Sequence, residues 1–184
     1  MTARLRIWTA LGAALLLSMP ASATPPLEGA DCGIAPDSAP DFALVDVNPT
    51  SPTAGEVVPR TATAGNVTLL YFALPSCSHC QAQVVQWQDI VDERADAWAE
   101  VDFRVVALAA SPESVPELAS GTDVPILQDT AEAQVQGAYN ADRWYIYILD
   151  RAGRPRIVHY KLDLVTDRVR LVDEVQLLLD EAAP

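Results

Sequence analysis

Apolar and polar positions follow two different periods along this chain. Val67-Thr68-Leu69-Leu70-Tyr71-Phe72 is an almost unbroken apolar run launched by Gly65-Asn66, which predicts a buried strand. From Cys80 to Trp98 the spacing becomes helical: Cys80, Val84, Trp87, Ile90, Val91 and Trp98 share one face. Gln83, Gln86, Asp92, Glu93 and Asp96 make the polar face. Val101 to Ala110, rich in Val and Ala, predicts a second central strand. Ser111-Pro112-Glu113 caps a short helix to about Ala119, and Val124 to Leu127 is a short extended piece. Asp129 or Thr130 caps a helix through Tyr139. Trp144 to Leu149 predicts a strand, Asp150 to Gly153 a tight turn, and Arg156 to Lys161 its antiparallel partner. Asp167 to Glu181 is a closing helix that buries Val169, Val172, Val175, Leu178 and Leu179. Upstream, Phe42 to Val47 alternates as a short edge strand, and 48–55 is a turn region.

One strand–helix–strand crossover followed by a hairpin and a closing helix predicts an α/β fold. Its mixed central sheet carries helices on both faces. The N-terminus reads as an export signal over residues 1–23. Arg4 and Arg6 precede an apolar run from Ile7 to Met19, and Ala21-Ser22-Ala23 has the small residues of a cleavage site. Residues 24–40 form a linker interrupted by Pro and Gly, and 41–184 the folded domain. No second apolar stretch is long enough to cross a bilayer, so no stable membrane insertion is expected after cleavage.

The net charge is −13, and removal of a leader that holds two Arg and no acid takes it to −15. Such a surface repels nucleic acid and anionic membranes. A monomer outside the cytoplasm, periplasmic or extracellular, is expected.

The chemistry is carried by Cys77-Ser78-His79-Cys80. This C-x-x-C stands where the buried strand gives way to the helix. A thiol at a helix N-terminus meets backbone N–H groups and the positive end of the helix dipole, which stabilise a thiolate. Cys77 is therefore the expected attacking thiolate and Cys80 the resolving thiol, with Ser78 and His79 tuning the pair and Pro75 shaping the loop. Cys32 is the odd cysteine, a free or resolving thiol in a Gly/Pro-rich stretch. The electrons sit in the cysteine pair, so no organic cofactor is implied. Partners would be protein or small-molecule thiols and disulfides. Two other readings stay open. Cys77, His79, Cys80 and His159 are ligand types for copper or zinc, although a structural zinc site wants four ligands. A binding domain that keeps the fold without exchange activity is the other.

The segments VTLLYFALPSCSHC (67–80) and 124–164, with Val124-Pro125, Asp150, Gly153 and His159-Tyr160, resemble the thioredoxin-like (redoxin) superfamily. Within it they are most similar to the N-terminal thioredoxin-like domain of selenoprotein P. Asp41-Phe42-Ala43-Leu44 resembles the opening of redoxin-type domains. The resemblance implies a thioredoxin-like fold and a redox-active pair at Cys77 and Cys80. It departs at one place. Thioredoxins hold a cis-proline against the disulfide just before the third strand, and here Arg143-Trp144 stands there. Two readings of Trp144 stay open: it covers the pair and, with Pro75, faces substrate, or it is a core tryptophan at a strand start.

Overall fold

The computed structural model describes residues 38–181. Residues 1–37, which include the expected signal segment, most of the linker and Cys32, lie outside them. The described residues form β1 (Ala43–Asp46), β2 (Val57–Pro59), β3 (Val67–Ala73), α1 (Ser78–Glu93) and β4 (Val101–Ala107). There follow the one-turn helix α2 (Val115–Leu118), β5 (Ile126–Gln128), the one-turn α3 (Val135–Ala138), β6 (Tyr145–Leu149), β7 (Pro155–Tyr160) and α4 (Arg168–Asp180).

One seven-stranded sheet, ordered β2-β1-β5-β4-β3-β6-β7, runs through the molecule. β3 lies parallel to β4 and antiparallel to β6, and β4 lies parallel to β5. The extended piece before Gln128 thus completes a second parallel crossover. β1 is not at the edge: it lies between β5 and the three-residue β2. β2 escaped the sequence because three residues, one of them Pro59, carry no readable period.

β3 is buried at every position, because it is paired on both sides and covered on both faces. Alternation sends Leu69, Tyr71 and Ala73 to one face, where α1, α2 and α4 pack with Cys80, Val84, Trp87, Leu118, Leu171 and Val175. Leu70 and Phe72 go to the other face, against Val135, Tyr139 and Tyr147. Helices therefore lie on both faces of a mixed sheet, as expected.

The element ends differ from the sequence pattern for local reasons. α1 stops at Glu93, and the chain continues in turns that bring Trp98 back into the core. The expected helix from Asp129 to Tyr139 is split, because Gln134 takes the left-handed conformation at φ 49°. Asp129 still caps across the break, accepting from the amides of Thr130, Val135 and Gln136. In α4 the buried face is Leu171, Val172, Val175 and Leu178. Val169 is 72% exposed, contrary to the sequence pattern, since it lies about a third of a turn off that face.

Gln83 also departs from its expected polar face. It is buried one turn beyond Cys80, and its Oε1 accepts from the Leu164 amide at 3.1 Å, fixing the segment between β7 and α4 against α1. Gln83→Ala should cost about 1–3 kcal/mol, since the Leu164 N–H loses its acceptor in the interior. Asp89→Ala, exposed on the same helix, should stay within about 0.5 kcal/mol. Urea unfolding of the reduced protein measures both, and equal losses would remove the assigned role of Gln83.

Candidate active site

β3 ends at Ala73, and three residues, Leu74, Pro75 and Ser76, separate it from Cys77. Pro75 is buried there, and its carbonyl accepts from Gln81 Nε2 at 2.8 Å. The Cys77 amide donates to the Leu74 carbonyl at 3.0 Å, which closes a tight turn. The turn delivers Cys77 as the N-cap of α1, in extended conformation at φ −88° and ψ 110°. Its Sγ then does what a capping serine or aspartate oxygen would do, accepting the Cys80 amide at 3.3 Å.

The two thiols are free and unequal. Cys77 is half-buried and Cys80 fully buried. Partial burial pushes the Cys77 thiol up, but the donors around it outweigh burial. The Cys80 thiol, the Cys80 amide, the Trp144 indole and the His79 amide together hold it below the ordinary thiol value. Cys80 is pushed up to about 12, first by burial and next by the hydrogen bond it gives Cys77. The helix start thus places one half-buried thiol held low and one protonated thiol a turn inside.

Trp144 stands immediately before β6, the strand antiparallel to β3, as the sequence reading located it. It adopts φ 74°, a left-handed conformation that is strained for a bulky residue. Two hydrogen bonds hold it there. Its amide donates to the Phe72 carbonyl at 2.8 Å, and its carbonyl accepts the Lys161 amide at 3.1 Å. The buried indole Nε1–H makes no conventional hydrogen bond. It acts instead on Cys77, whose thiolate it favours. Pro125, at the start of β5, is separated from β6 by β4 and β3.

Ser78 and His79 are both exposed on the first turn of α1. The His79 ring sits edge-on to Trp144 with centroids 5.7 Å apart, while its backbone amide serves Cys77. His159 is engaged elsewhere. It lies on β7 with Nε2 2.6 Å from Glu174 Oε2 and Nδ1 3.2 Å from an Arg170 guanidinium nitrogen. Among the described residues no group of three His, Cys, Asp or Glu side chains is placed to hold a metal ion. A cleft of 680 Å³ between α1 and α2, lined by Gln88, Asp92 and Thr122, includes neither cysteine.

One contributor was missed in the sequence. Tyr71 was read only as part of the apolar run. Its hydroxyl is buried, makes no conventional hydrogen bond and acts on Cys80, whose thiolate it favours. Burial, then the neighbouring Cys80, push the phenol far above its ordinary value, so it stays protonated and serves only as a donor. The signal was available: Tyr71 alternates onto the face of β3 that α1 covers.

No protein-family model matches the chain, and no curated protein matches it. Solved structures do. A candidate protein disulfide isomerase from Bacteroides thetaiotaomicron superposes with a TM-score of 0.65 at 21% identity, over 79% of this chain and 90% of that one. A candidate thiol:disulfide interchange protein DsbE from Chlorobium tepidum gives 0.64 at 20% identity, over 78% and 96%. A secreted Mycobacterium tuberculosis disulfide oxidoreductase homologous to E. coli DsbE gives 0.58 at 16%, over 74% and 96%. The fold is thioredoxin-like, as the sequence predicted.

Trp144→Phe keeps an aromatic ring, though a smaller one, and removes the N–H that favours the Cys77 thiolate. The pH midpoint for alkylation of Cys77 by iodoacetamide should therefore move up, with the upper plateau unchanged. An unmoved midpoint would show that the indole N–H does not act on the sulfur.

Proposed function

We propose that this chain is an exported thiol–disulfide oxidoreductase that works through the Cys77–Cys80 pair. The observation that carries the reading is the inequality of the two thiols: a half-exposed thiol held low at a helix N-cap, and a buried one pushed up to about 12 behind it. The thioredoxin-like neighbours support it, since their descriptions name disulfide isomerase, interchange and oxidoreductase activities.

In the reducing direction the Cys77 thiolate attacks one sulfur of a substrate disulfide. The substrate S–S bond breaks, one substrate thiolate leaves with the bonding pair and takes a proton, and Cys77 is joined to the other sulfur. Cys80 then gives up its proton and attacks Cys77 Sγ. The second substrate thiolate leaves, and two electrons have passed from the dithiol to the substrate. The oxidising direction is the same sequence reversed. Tyr71 stays protonated and donates to Cys80 as it becomes a thiolate. Trp144 covers the pair and favours the thiolate of Cys77. Ser78 and His79 on the rim are the tuning positions. The likeness of 67–80 and 124–164 to the N-terminal domain of selenoprotein P belongs to this reading, and only the redox pair is carried from it. The reading needs no part from Cys32.

Export rests on the character of residues 1–23. No helix among the described residues is long and apolar enough to cross a membrane. One of the neighbours is described as secreted.

Cys77→Ser should abolish exchange with a model disulfide, while Cys80→Ser should capture partners as mixed disulfides visible by non-reducing electrophoresis and mass. Retention of full activity by both variants would end the reading. Tyr71→Phe should leave capture by Cys77 intact and slow its resolution by Cys80 about tenfold, as loss of one hydrogen bond to a charged sulfur implies. Stopped-flow measurement of mixed-disulfide decay separates the two steps.

A further inference from the structure

The cations of this acidic chain are mostly spent on its own carboxylates. Of the ten Lys and Arg side chains among the described residues, seven lie in ion pairs: Arg60, Arg104, Arg151, Arg154, Arg156, Arg168 and Arg170. Two of the remaining three, Arg143 and Lys161, meet at Trp144. The Arg143 guanidinium lies 4.7 Å from the indole centroid, and Lys161 Nζ lies 5.4 Å from it and 5.0 Å from the Tyr160 ring. Both side chains are exposed. The adjacent carboxylate of Asp142 is turned to the Arg143 amide, 2.7 Å away, and makes no ion pair with the guanidinium. Lys161 itself takes φ 60° and donates its amide to the Trp144 carbonyl, which ties it to the same strained corner.

A cation resting on a ring face keeps its N–H groups at the edge free for an acceptor. The same indole meets the His79 ring of the C-x-x-C segment at 5.7 Å and acts on Cys77, so both charges lie one side chain away from the attacking cysteine's loop. A molecule with a net charge of −13 repels anions at long range, yet this corner offers them unpaired cations at short range. We infer that Arg143 and Lys161 form an anion-recognising rim that selects thiols and disulfides bearing a carboxylate next to the reacting sulfur. The inference rests on the redox reading above and names the substrate class of that site.

The full mature protein, reduced, would be followed against three small disulfides: dianionic 3,3′-dithiodipropionate, neutral 2-hydroxyethyl disulfide and dicationic cystamine. The comparison is the ratio of rates, wild type against Arg143→Gln/Lys161→Gln, which cancels the intrinsic reactivity of each disulfide. The double variant should lower the dianion-to-neutral ratio by about threefold or more, raise the cation-to-neutral ratio, and weaken the salt dependence of the dianion rate. Ratios unchanged by the substitutions would overturn the inference. So would an equal fall with all three disulfides, which would place the cations' effect on Cys77 and not on the substrate. Failure of the wild type to exchange with any of them would overturn the redox reading itself, and the inference with it. A pair of peptide disulfides with Asp or Asn beside the cysteine locates the carboxylate. With the small-disulfide effect in place, an Asp preference that the double variant loses extends the rim to protein substrates, and its absence confines the rim to small molecules.

Discussion

The site depends on a single constraint, the exit of β3 from the core. Seven residues, Val67 to Ala73, are buried without exception and are paired on both sides. Such a strand cannot slide: a shift by one residue would turn Leu69, Tyr71 and Ala73 away from α1 and bring Leu70 and Phe72 beneath it. With β3 pinned, the turn closed by the Cys77 amide on Leu74 has one place to start α1. The first thiol becomes the helix cap and the second falls one turn inside, under Tyr71. The placement of the pair is thus a consequence of strand register, transmitted through three residues.

Polar satisfaction among the described residues is uneven: the indoles of Trp87 and Trp98 are buried without partners in the core, and so are two groups beside the helix start. Asp46 is buried and accepts from the amides of Asn48 and Ile126 and from the hydroxyls of Ser51 and Thr53. Arg104, buried in the middle of β4, is met by the Pro59 and Arg60 carbonyls, Thr63 and Asp102. Tyr71 Oη and Trp144 Nε1 have no such partners. A buried donor left without an acceptor costs about 1–3 kcal/mol. Here each donor acts on a sulfur, which is a weak acceptor as a thiol and a strong one as a thiolate. The arrangement is poorly satisfied with both sulfurs protonated and better satisfied when either ionises. The left-handed backbone of Trp144 belongs to the same pattern, since strain at one residue persists only where its surroundings hold it.

Long periodic segments made much of this legible in the sequence. β3 and α1 are an apolar run and a helical stripe, and their junction located Cys77 and Cys80 without any contact being known. Short elements were legible only in part: the turn of helix at Val115 and the strand at Ile126 were anticipated, the helix through Tyr139 was read too long, and Val57 to Pro59 carries no period of its own. Gln83 is polar by type and buried by position. Only the fold brings the Leu164 amide, 81 residues away, to its side chain. The sequence placed Trp144 just before the strand that pairs with β3, but its φ of 74° is not written in residue type, since tryptophan has no preference for that region. Arg143 and Lys161 are eighteen positions apart and become neighbours only because β6 and β7 form a hairpin that sets Tyr145 opposite Tyr160. Tyr71 is the instructive omission. Counting by twos along β3 puts its side chain on the α1 face, and a hydroxyl in that place needs an explanation that a leucine would not.

In the proposed exchange, the inequality of the two thiols also orders the two halves of the reaction. Cys77 is held low despite partial burial, so it is the sulfur available as a thiolate. A depressed thiol favours the reduced fold increasingly as pH rises through its folded value, with the full effect reached at the ordinary thiol value. The disulfide has no such proton to lose, so the same gain makes it easier to reduce. Cys80 is held up by burial and by its hydrogen bond and charge interaction with Cys77, while the Leu74 backbone and Tyr71 pull it down. Once Cys77 is joined to a substrate sulfur, it no longer carries the charge that Cys80 resists, nor accepts the proton that Cys80 shares. The contributions from Cys77 vanish, and those from Leu74 and Tyr71 remain. The resolving thiol therefore becomes easier to ionise only after a partner has been captured. Before capture it stays protonated and quiet, and the thiolate stays where the substrate arrives.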